Sequence, residues 1–278
     1  MNQVSDLNLA IAVHKAGGFP SISGYCYKNA NQLINALEDF VKITGSSNLI
    51  LAIDEHWLLN PNIISTIKRL NISHLFKYFN ENPKFPLETK LAWREPIDKL
   101  LEKLDSQLIG ILPNFNDIQD LDKIYFLKGN DGAGRPGAAT TKELFDYHIQ
   151  QTPNAKLVPM GGVGTASQVK YYIDNGAIAV SVGTLLAASK ESCLTEAVKQ
   201  AMVAASNSNL SILDTNLKQQ GLVFKEFSGY DTANHTNSLK LGINSNADAG
   251  HIFAGHGINF INTIDDVASI ILKLADKI

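Results

Sequence analysis

Two glycine-rich turns carry the clearest chemical signal in the sequence. Residues 158–165 read Val-Pro-Met-Gly-Gly-Val-Gly-Thr and residues 181–184 read Ser-Val-Gly-Thr, and each segment completes a short apolar run. Glycine at the carboxyl end of a parallel strand lets backbone N–H groups approach a phosphate oxygen, because no Cβ intervenes. A short helix beginning after Thr184 would direct further N–H donors at the same anion. One such turn indicates only a tight bend, whereas two in succession predict a phosphate clamp.

The elements that position these turns alternate between apolar runs and helical patterns, which is typical of β/α units around a parallel sheet. Strands are predicted over 19–23, 49–53, 74–79, 108–112, 124–128, 156–160 and 178–182, and helices over 7–15, 29–42, 63–70, 144–151 and 166–175, with another from Pro96. A closed barrel of this type needs eight strands, and the missing one would precede the first helix. We therefore expect an α/β fold of the (β/α)8 TIM-barrel type whose first strand is absent or truncated. An open, doubly wound sheet is the alternative.

We expect residues 1–278 to form a single β/α-barrel domain. Residues 206–250 are rich in Asn and Ser, and their apolar periodicity is weak except for a strand or hairpin at 222–227. This segment is interpreted as an irregular excursion over the barrel mouth, although a surface loop without a role fits equally well. A closing helix is predicted over 263–277, with Thr263 and Asp266 at capping-box spacing.

Composition excludes several function classes. The net charge is −3, from 24 basic and 27 acidic residues, and the basic residues are scattered, which argues against nucleic acid or an anionic membrane as partner. The two cysteines, Cys26 and Cys193, cannot form a disulfide framework. The amino terminus lacks the pattern of a secretory signal, and no apolar run is long enough to span a bilayer. We expect a cytoplasmic protein that acts on a small molecule, with no metal site; a homodimer is left open.

Four segments, in order, resemble the nitronate monooxygenase (2-nitropropane dioxygenase-like) family of FMN-dependent TIM-barrel oxidoreductases. They are Leu9-Ala-Ile-Ala-Val-His-Lys-Ala-Gly-Gly18, Lys128-Gly-Asn-Asp-Gly-Ala-Gly-Arg-Pro-Gly137, the two glycine turns with their flanks (159–165 and 175–192), and Ala254-Gly-His-Gly257. Flavin-dependent enoyl-ACP reductases share the phosphate segment. Residues 55–105 and 206–250 match poorly. The family's first strand ends in Pro-Met-x-x-Val, and residues 1–4 resemble its tail, which suggests a misassigned start, a truncated gene or a strand supplied by a partner.

The resemblance implies that FMN is the cofactor and that Gly161, Gly162, Gly183 and Thr184 hold its phosphate. The segments that carry the resemblance also place Gly129, Ala133, Ser181 and Val182 among the cofactor-binding positions. Lys128 would lie beside the isoalloxazine, where the family has Gln and where a cation would stabilise reduced flavin. A lysine that simply reaches solvent from a strand end is equally consistent.

The family's proton-abstracting histidine falls on Arg135. Deprotonating an arginine at pH 7 costs roughly 7–8 kcal/mol, so Arg135 is a poor general base. Its planar fork of donors suits an anionic substrate instead, or a structural role in the loop. His56 and His256 remain candidate catalytic residues, since one ends a predicted strand and the other lies in a glycine-rich loop. His14 and His148 are predicted to lie at the surface of outer helices.

Three functions follow from this interpretation. The first is an FMN-dependent oxidoreductase of the nitronate monooxygenase type that oxidises a small nitronate-like or related substrate. The second is a flavin-dependent enoyl-ACP reductase-like enzyme with NAD(P)H as electron donor. The third is a catalytically degenerate barrel that binds flavin or another phosphate ligand, which the Arg135 substitution favours.

Overall fold

The computed structural model describes residues 3–78, 104, 106–135, 137–214, 219–224 and 235–278. The chain divides into two compact units, Met1–Ile109 and Gly110–Ile278. Each unit contains both strands and helices. The predictions over 79–103, including the helix from Pro96, lie outside the described residues. The expectation of one domain over 1–278 stays a prediction.

The first unit is built of parallel β/α repeats. Its elements are α1 (Leu7–Lys15), β1 (Ser21–Ser23), a 3-10 turn (Gly24–Cys26), α2 (Ala30–Thr44), β2 (Ile50–Asp54), α3 (Glu55–Leu58), α4 (Pro61–Leu70), β3 (His74–Tyr78) and the start of β4 (Gln107–Leu112). Ser21 pairs with Ile50, Ile50 with His74, and His74 with Gln107, all in parallel register. Consecutive strands are thus neighbours, an order that favours the barrel over the doubly wound sheet within this unit.

The core of the first unit follows the apolar periodicity. Leu33, Leu37 and Phe40 on one face of α2 are all fully buried, and so are alternate strand residues such as Leu51. The helix boundaries follow from capping: Asp6 accepts from the Leu9 amide, and Asn29 accepts from the Gln32 amide. The predicted 7–15 helix is confirmed as it stands, and the predicted 29–42 helix begins one residue later and extends to Thr44.

The second unit contains the two strands that precede the first glycine turn. β5 (Ile124–Lys128) and β6 (Lys156–Met160) match their predicted bounds and pair in parallel from Ile124–Lys156 to Lys128–Met160. The remaining elements are α5 (Thr141–Gln151), α6 (Ala166–Asp174), α7 (Thr184–Ala187), α8 (Glu196–Ala204), 3-10 turns at Asn207–Asn209 and His256–Phe260, β7 (Leu210–Asp214), β8 (Gln219–Val223), α9 (His235–Asn244), β9 (His251–Ile252) and α10 (Val267–Ala275).

Four sequence predictions are corrected in this unit. The 178–182 strand is reduced to one bridge, Met160–Ser181, and Ile178 is 52% exposed, so the apolar run is not buried as a core strand is. In the described part of 206–250, β7 and β8 form an antiparallel pair that β9 extends, so the predicted strand at 222–227 lies earlier, at Gln219–Val223. The closing helix begins at Val267, because Asp266 and not Thr263 caps it. The prediction that His148 lies at the surface is wrong: its side chain is buried and its Nε2 bonds to the Asn114 carbonyl at 2.9 Å.

Residues 3–6 form neither helix nor strand, although the Ser23 amide donates to the Ser5 carbonyl at 2.9 Å. The absence of a first barrel strand stays a prediction. In the part of the chain that the structure describes, no helix is both long and apolar enough to cross a bilayer.

Candidate phosphate-binding site

The first glycine turn follows directly from β6. Gly161 has φ 129° and Gly162 has φ 64°, and both values lie in a region that residues other than glycine rarely adopt. A Cβ on Gly161 would lie 2.8 Å from Thr141 Oγ1 and 2.9 Å from the Gly132 Cα. Glycine is therefore required here both by backbone conformation and by the close approach of the loop that follows β5.

That loop is anchored by Asp131, whose Oδ1 accepts from the Thr141 amide at 3.1 Å and from Thr141 Oγ1 at 2.5 Å. Thr141 is fully buried and begins α5, which Thr140 and Glu143 cap reciprocally. A Cβ on Gly129 would lie 2.1 Å from the Thr141 amide nitrogen, so this position also excludes a side chain. The link between Asp131 and Thr141 thus fixes the end of β5 against the start of α5.

The second glycine turn reaches the same region through the Met160–Ser181 bridge. The Ser181 amide donates to the Pro159 carbonyl at 2.9 Å, which keeps residues 182–184 beside the turn that follows β6. Gly183 precedes α7, and Thr184 is 8% exposed. Thr184 Oγ1 accepts from the Gly255 amide at 3.2 Å, and its own proton remains available to a ligand.

The loop before α10 forms a further side of the site. The His256 amide donates to the Asp131 carbonyl at 2.8 Å. A Cβ on Gly257 would lie 3.3 Å from the Val163 carbonyl oxygen and 3.5 Å from Thr184 Cβ. Both glycine turns therefore lie against Gly257, and the bond from His256 to Asp131 adds the 128–137 segment, so three of the four sequence segments meet here.

The donor set of this region fits a phosphate. Within the described residues, the amides of Gly162, Gly183 and Thr184 donate to no protein acceptor. Backbone N–H groups left without acceptors in adjoining turns favour an anion. The Asp131 carboxylate opposes this preference, since a Cβ on Gly162 would lie 2.5 Å from its Oδ2. The region therefore offers four hydrogen-bond donors, three amides and the Thr184 hydroxyl, against one carboxylate, and one oxygen of that carboxylate already accepts from Thr141.

The other predicted cofactor positions lie around the same loops. Lys128 ends β5 half-buried, and its Nζ lies 3.9 Å from where a Cβ of Gly134 would stand. Gly134 itself pairs with Gln220 of β8, through N–H···O bonds of 2.9 and 2.8 Å in the two directions. The Ala133 amide nitrogen would lie 2.7 Å from a Cβ on Gly255. A contact between Lys128 and a flavin ring stays a prediction.

The three candidate catalytic residues divide between the two units, with Arg135 and His256 in the second and His56 in the first. Arg135 is exposed, one residue beyond the Gly134–Gln220 bridge. His256 is half-buried at the start of its 3-10 turn and is tied to Asp131 through its backbone only. His56 belongs to the first unit, where its Nδ1 contacts the Asp54 carboxylate and its ring lies 4.8 Å from that of Trp57.

Thr141 was not predicted from the sequence, yet it joins the loop after β5 to the end of β6: it donates to Asp131, and its Oγ1 lies 3.2 Å from the Met160 carbonyl oxygen. The capping box from Thr140 to Glu143 was readable and would have started the helix at residue 141 instead of 144. It would not have revealed the bond to Asp131, because that contact depends on how the β5 loop folds back.

Comparisons with known proteins show which solved structures share the fold of this chain. No protein-family model matches the sequence, and no curated protein matches it. Among solved structures, FabK from Thermotoga maritima aligns over 100% of this chain and 90% of its own, with a TM-score of 0.76 and 18% identity. The chain therefore has the same fold as FabK and as the two structures that follow. A nitroalkane oxidase from Streptomyces ansochromogenes aligns over 99% of this chain and 92% of its own, with a TM-score of 0.70 and 15% identity.

A third match is the enoyl reductase domain of MlnA from Bacillus amyloliquefaciens, over 98% of this chain and 91% of that domain, with a TM-score of 0.67 and 10% identity. The resemblance seen in the four sequence motifs is thus confirmed over the full length of the chain at the level of the fold. At such identities the fold alone is shared, so the cofactor and the reaction are matters for proposal.

Proposed function

We propose that this chain is a flavin-dependent oxidoreductase that binds FMN through its phosphate at Gly161-Gly162 and Gly183-Thr184. The observation that carries the proposal is the set of three amides, on Gly162, Gly183 and Thr184, without an acceptor among the described residues. Gly161 adds the close backbone approach and Thr184 a hydroxyl. The names of two structures with this fold, a nitroalkane oxidase and an enoyl reductase domain, support oxidoreduction. Bound FMN would supply the two-electron chemistry.

The substrate that fits this chain best is an anion that needs no proton removed. Arg135, at the family's histidine position, cannot act as a base at neutral pH, but its guanidinium can bind the two oxygens of a nitronate side by side. A nitronate is already deprotonated, whereas a nitroalkane must first lose a proton from carbon. We therefore propose oxidation of nitronates and not of neutral nitroalkanes, with Arg135 as the substrate-binding residue.

Flavin binding is tested by a pair of variants at one position. Gly183 has φ −119°, which any residue adopts, so a side chain adds no backbone strain there. Gly183→Asp would place a carboxylate about 5 Å from a phosphate dianion, which costs roughly 1.7 kcal/mol even in bulk water, or at least about fifteen-fold in Kd. Gly183→Asn has the same size without the charge and serves as the matched control.

The measurement is FMN uptake by the purified protein, followed by its absorbance after ultrafiltration and by titration calorimetry. We expect the wild type and Gly183→Asn to bind FMN and Gly183→Asp to bind it at least about fifteen-fold more weakly. A wild-type protein that stays colourless with added FMN refutes the proposal. Equal affinities for the Asp and Asn variants refute the phosphate position.

The substrate is tested on the FMN-loaded protein with nitroethane and with its pre-formed nitronate. Oxygen consumption is expected with the nitronate only, and Arg135→Gln should raise KM for it by about ten-fold or more, since a charged hydrogen-bonding partner is lost. Equal rates with the two substrates contradict the assignment of Arg135. Oxidation of NADPH with an enoyl thioester, and not with nitronate, would instead support the reductase alternative.

A further inference from the structure

The loop that carries Arg135 is held along one side by strand β8. This strand is the middle one of its sheet, with β7 on one side and β9 on the other. At Gln220 it also pairs with Gly134, through backbone N–H···O bonds of 2.9 and 2.8 Å in the two directions. The loop after β5 is thus joined to β8 like a short strand, and the exposed Arg135 follows the paired glycine directly.

The side chain of Gln220 holds the same loop at two further points. Its Nε2 donates to the Asn130 carbonyl at 3.2 Å and to the Gly132 carbonyl at 3.3 Å. These neighbours decide how the amide is oriented, because the reverse orientation would set its oxygen against both carbonyl oxygens. Gln220 therefore binds every second residue of the loop, at Asn130 and Gly132 through its amide and at Gly134 through its backbone.

Gln220 is the donor on which two loop carbonyls depend. Within the described ranges, neither the Asn130 nor the Gly132 carbonyl accepts a hydrogen bond from another residue, and Gly132 is buried. A buried carbonyl without a donor is costly, so the loop would have to shift if the glutamine amide were removed. The intervening Asp131 is bound separately, since its carbonyl accepts from the His256 amide at 2.8 Å.

We infer that Gln220 is the positioning residue that sets where the Arg135 guanidinium meets the substrate. The inference rests on the proposed function, in which Arg135 binds the nitronate. Because Arg135 is bonded to Gly134, its backbone can move only as far as the pair between Gly134 and Gln220 allows. A side-by-side contact with two nitronate oxygens tolerates little displacement, so the anchoring of this loop should govern substrate binding.

The test replaces Gln220 with methionine and with glutamate. Methionine has a similar length without a donor, and glutamate sets a carboxylate against the two carbonyl oxygens; the backbone pair stays available to both. On the FMN-loaded protein, KM for the pre-formed nitronate should rise about five-fold or more in Gln220→Met and further in Gln220→Glu, with kcat changed less than about two-fold. Gln200→Met, at an exposed glutamine of α8, is the matched control and should keep the wild-type KM.

A double-mutant cycle separates positioning from a general loosening of the structure. If Gln220 acts through Arg135, Gln220→Met should raise KM little further once Arg135→Gln is present. An equal rise in both backgrounds overturns the inference, and so does an unchanged KM in Gln220→Glu with FMN bound. Gln220→Met remains the test if the glutamate variant fails to fold, as checked by circular dichroism.

Hydrogen exchange on the protein without FMN tests the anchor apart from the proposed function. By mass spectrometry, amides of residues 130–134 should exchange about five-fold faster or more in Gln220→Met, while those of α5 keep the wild-type rate. Unchanged exchange at 130–134 overturns the inference even if FMN binds. Faster exchange in a protein that binds no FMN supports the anchor and refutes the proposed function alone.

Discussion

Replacing Thr141 with valine should loosen the junction between the β5 loop and α5 by a calculable amount. Thr141 is 0% exposed and donates its hydroxyl proton to Asp131 at 2.5 Å. A hydrogen bond to a charged group contributes about 1.5–3 kcal/mol net, and the added methyl group of valine returns roughly 0.8 kcal/mol by burial. The expected loss of unfolding free energy is therefore about 1–2 kcal/mol.

A double-mutant cycle isolates that hydrogen bond from other effects of the substitution. With Asp131→Ala already present, Thr141→Val removes no charged partner and should cost little, so the coupling energy between the two positions should be about 1–2 kcal/mol. Thr141→Ser is the control, because it keeps the hydroxyl and loses only a methyl group; its cost should be the same in both backgrounds.

The assay is urea denaturation followed by far-UV circular dichroism on the apoprotein at pH 7. Circular dichroism is preferred to tryptophan fluorescence because both tryptophans, Trp57 and Trp93, precede the second unit in the sequence. A coupling energy below about 0.5 kcal/mol, which is within the scatter of independent sites, would show that the Asp131–Thr141 bond does not hold this junction.

Three further results are expected. Gly242→Ala should destabilise α9 against β9 by several kcal/mol, since its Cβ would lie 1.9 Å from the His251 carbonyl oxygen, and a lowered melting temperature would show it. Burial lowers the pKa of His74, partly offset by a hydrogen bond with Gln107, so stability should fall as pH drops below the usual histidine range, where the unfolded chain takes up the proton first; His74→Asn should flatten this pH dependence of the urea midpoint. Burial also raises the pKa of Tyr172, so its phenol should ionise, by ultraviolet difference absorption, only above the usual tyrosine range or on unfolding.

Local patterns were enough to predict much of the fold. β5 and β6 were found with their bounds because both are short, largely apolar runs between turn signals. The buried position of His148 was also readable, since Leu144, Phe145 and His148 share one helical face and the first two are completely buried. Treating that histidine by its polarity alone, and not by its position on the helix, caused the error.

Other features depend on partners distant in the chain. β8 pairs with β9, and Leu222 lies opposite Ile252, which is distant in the sequence. Glycine is required at position 221 because a Cβ there would lie 2.3 Å from the Ile252 carbonyl oxygen. No residue near Gly221 in the sequence indicates that Ile252 lies against it. The glycine turn at Gly161 was predictable because it follows its strand directly, whereas the anchoring of Asp131 by Thr141 arises only when the loop folds back onto α5.

The contacts at Gly129, Gly161 and Gly255 have a consequence for how substitutions combine. At each position a Cβ would come within 3 Å of backbone atoms of an adjoining loop or helix start. The first side chain introduced would force the loops apart, and a second would then find the space already open. Effects of such substitutions should therefore be strongly sub-additive, so a chain that has accumulated one of these changes tolerates the next far more easily.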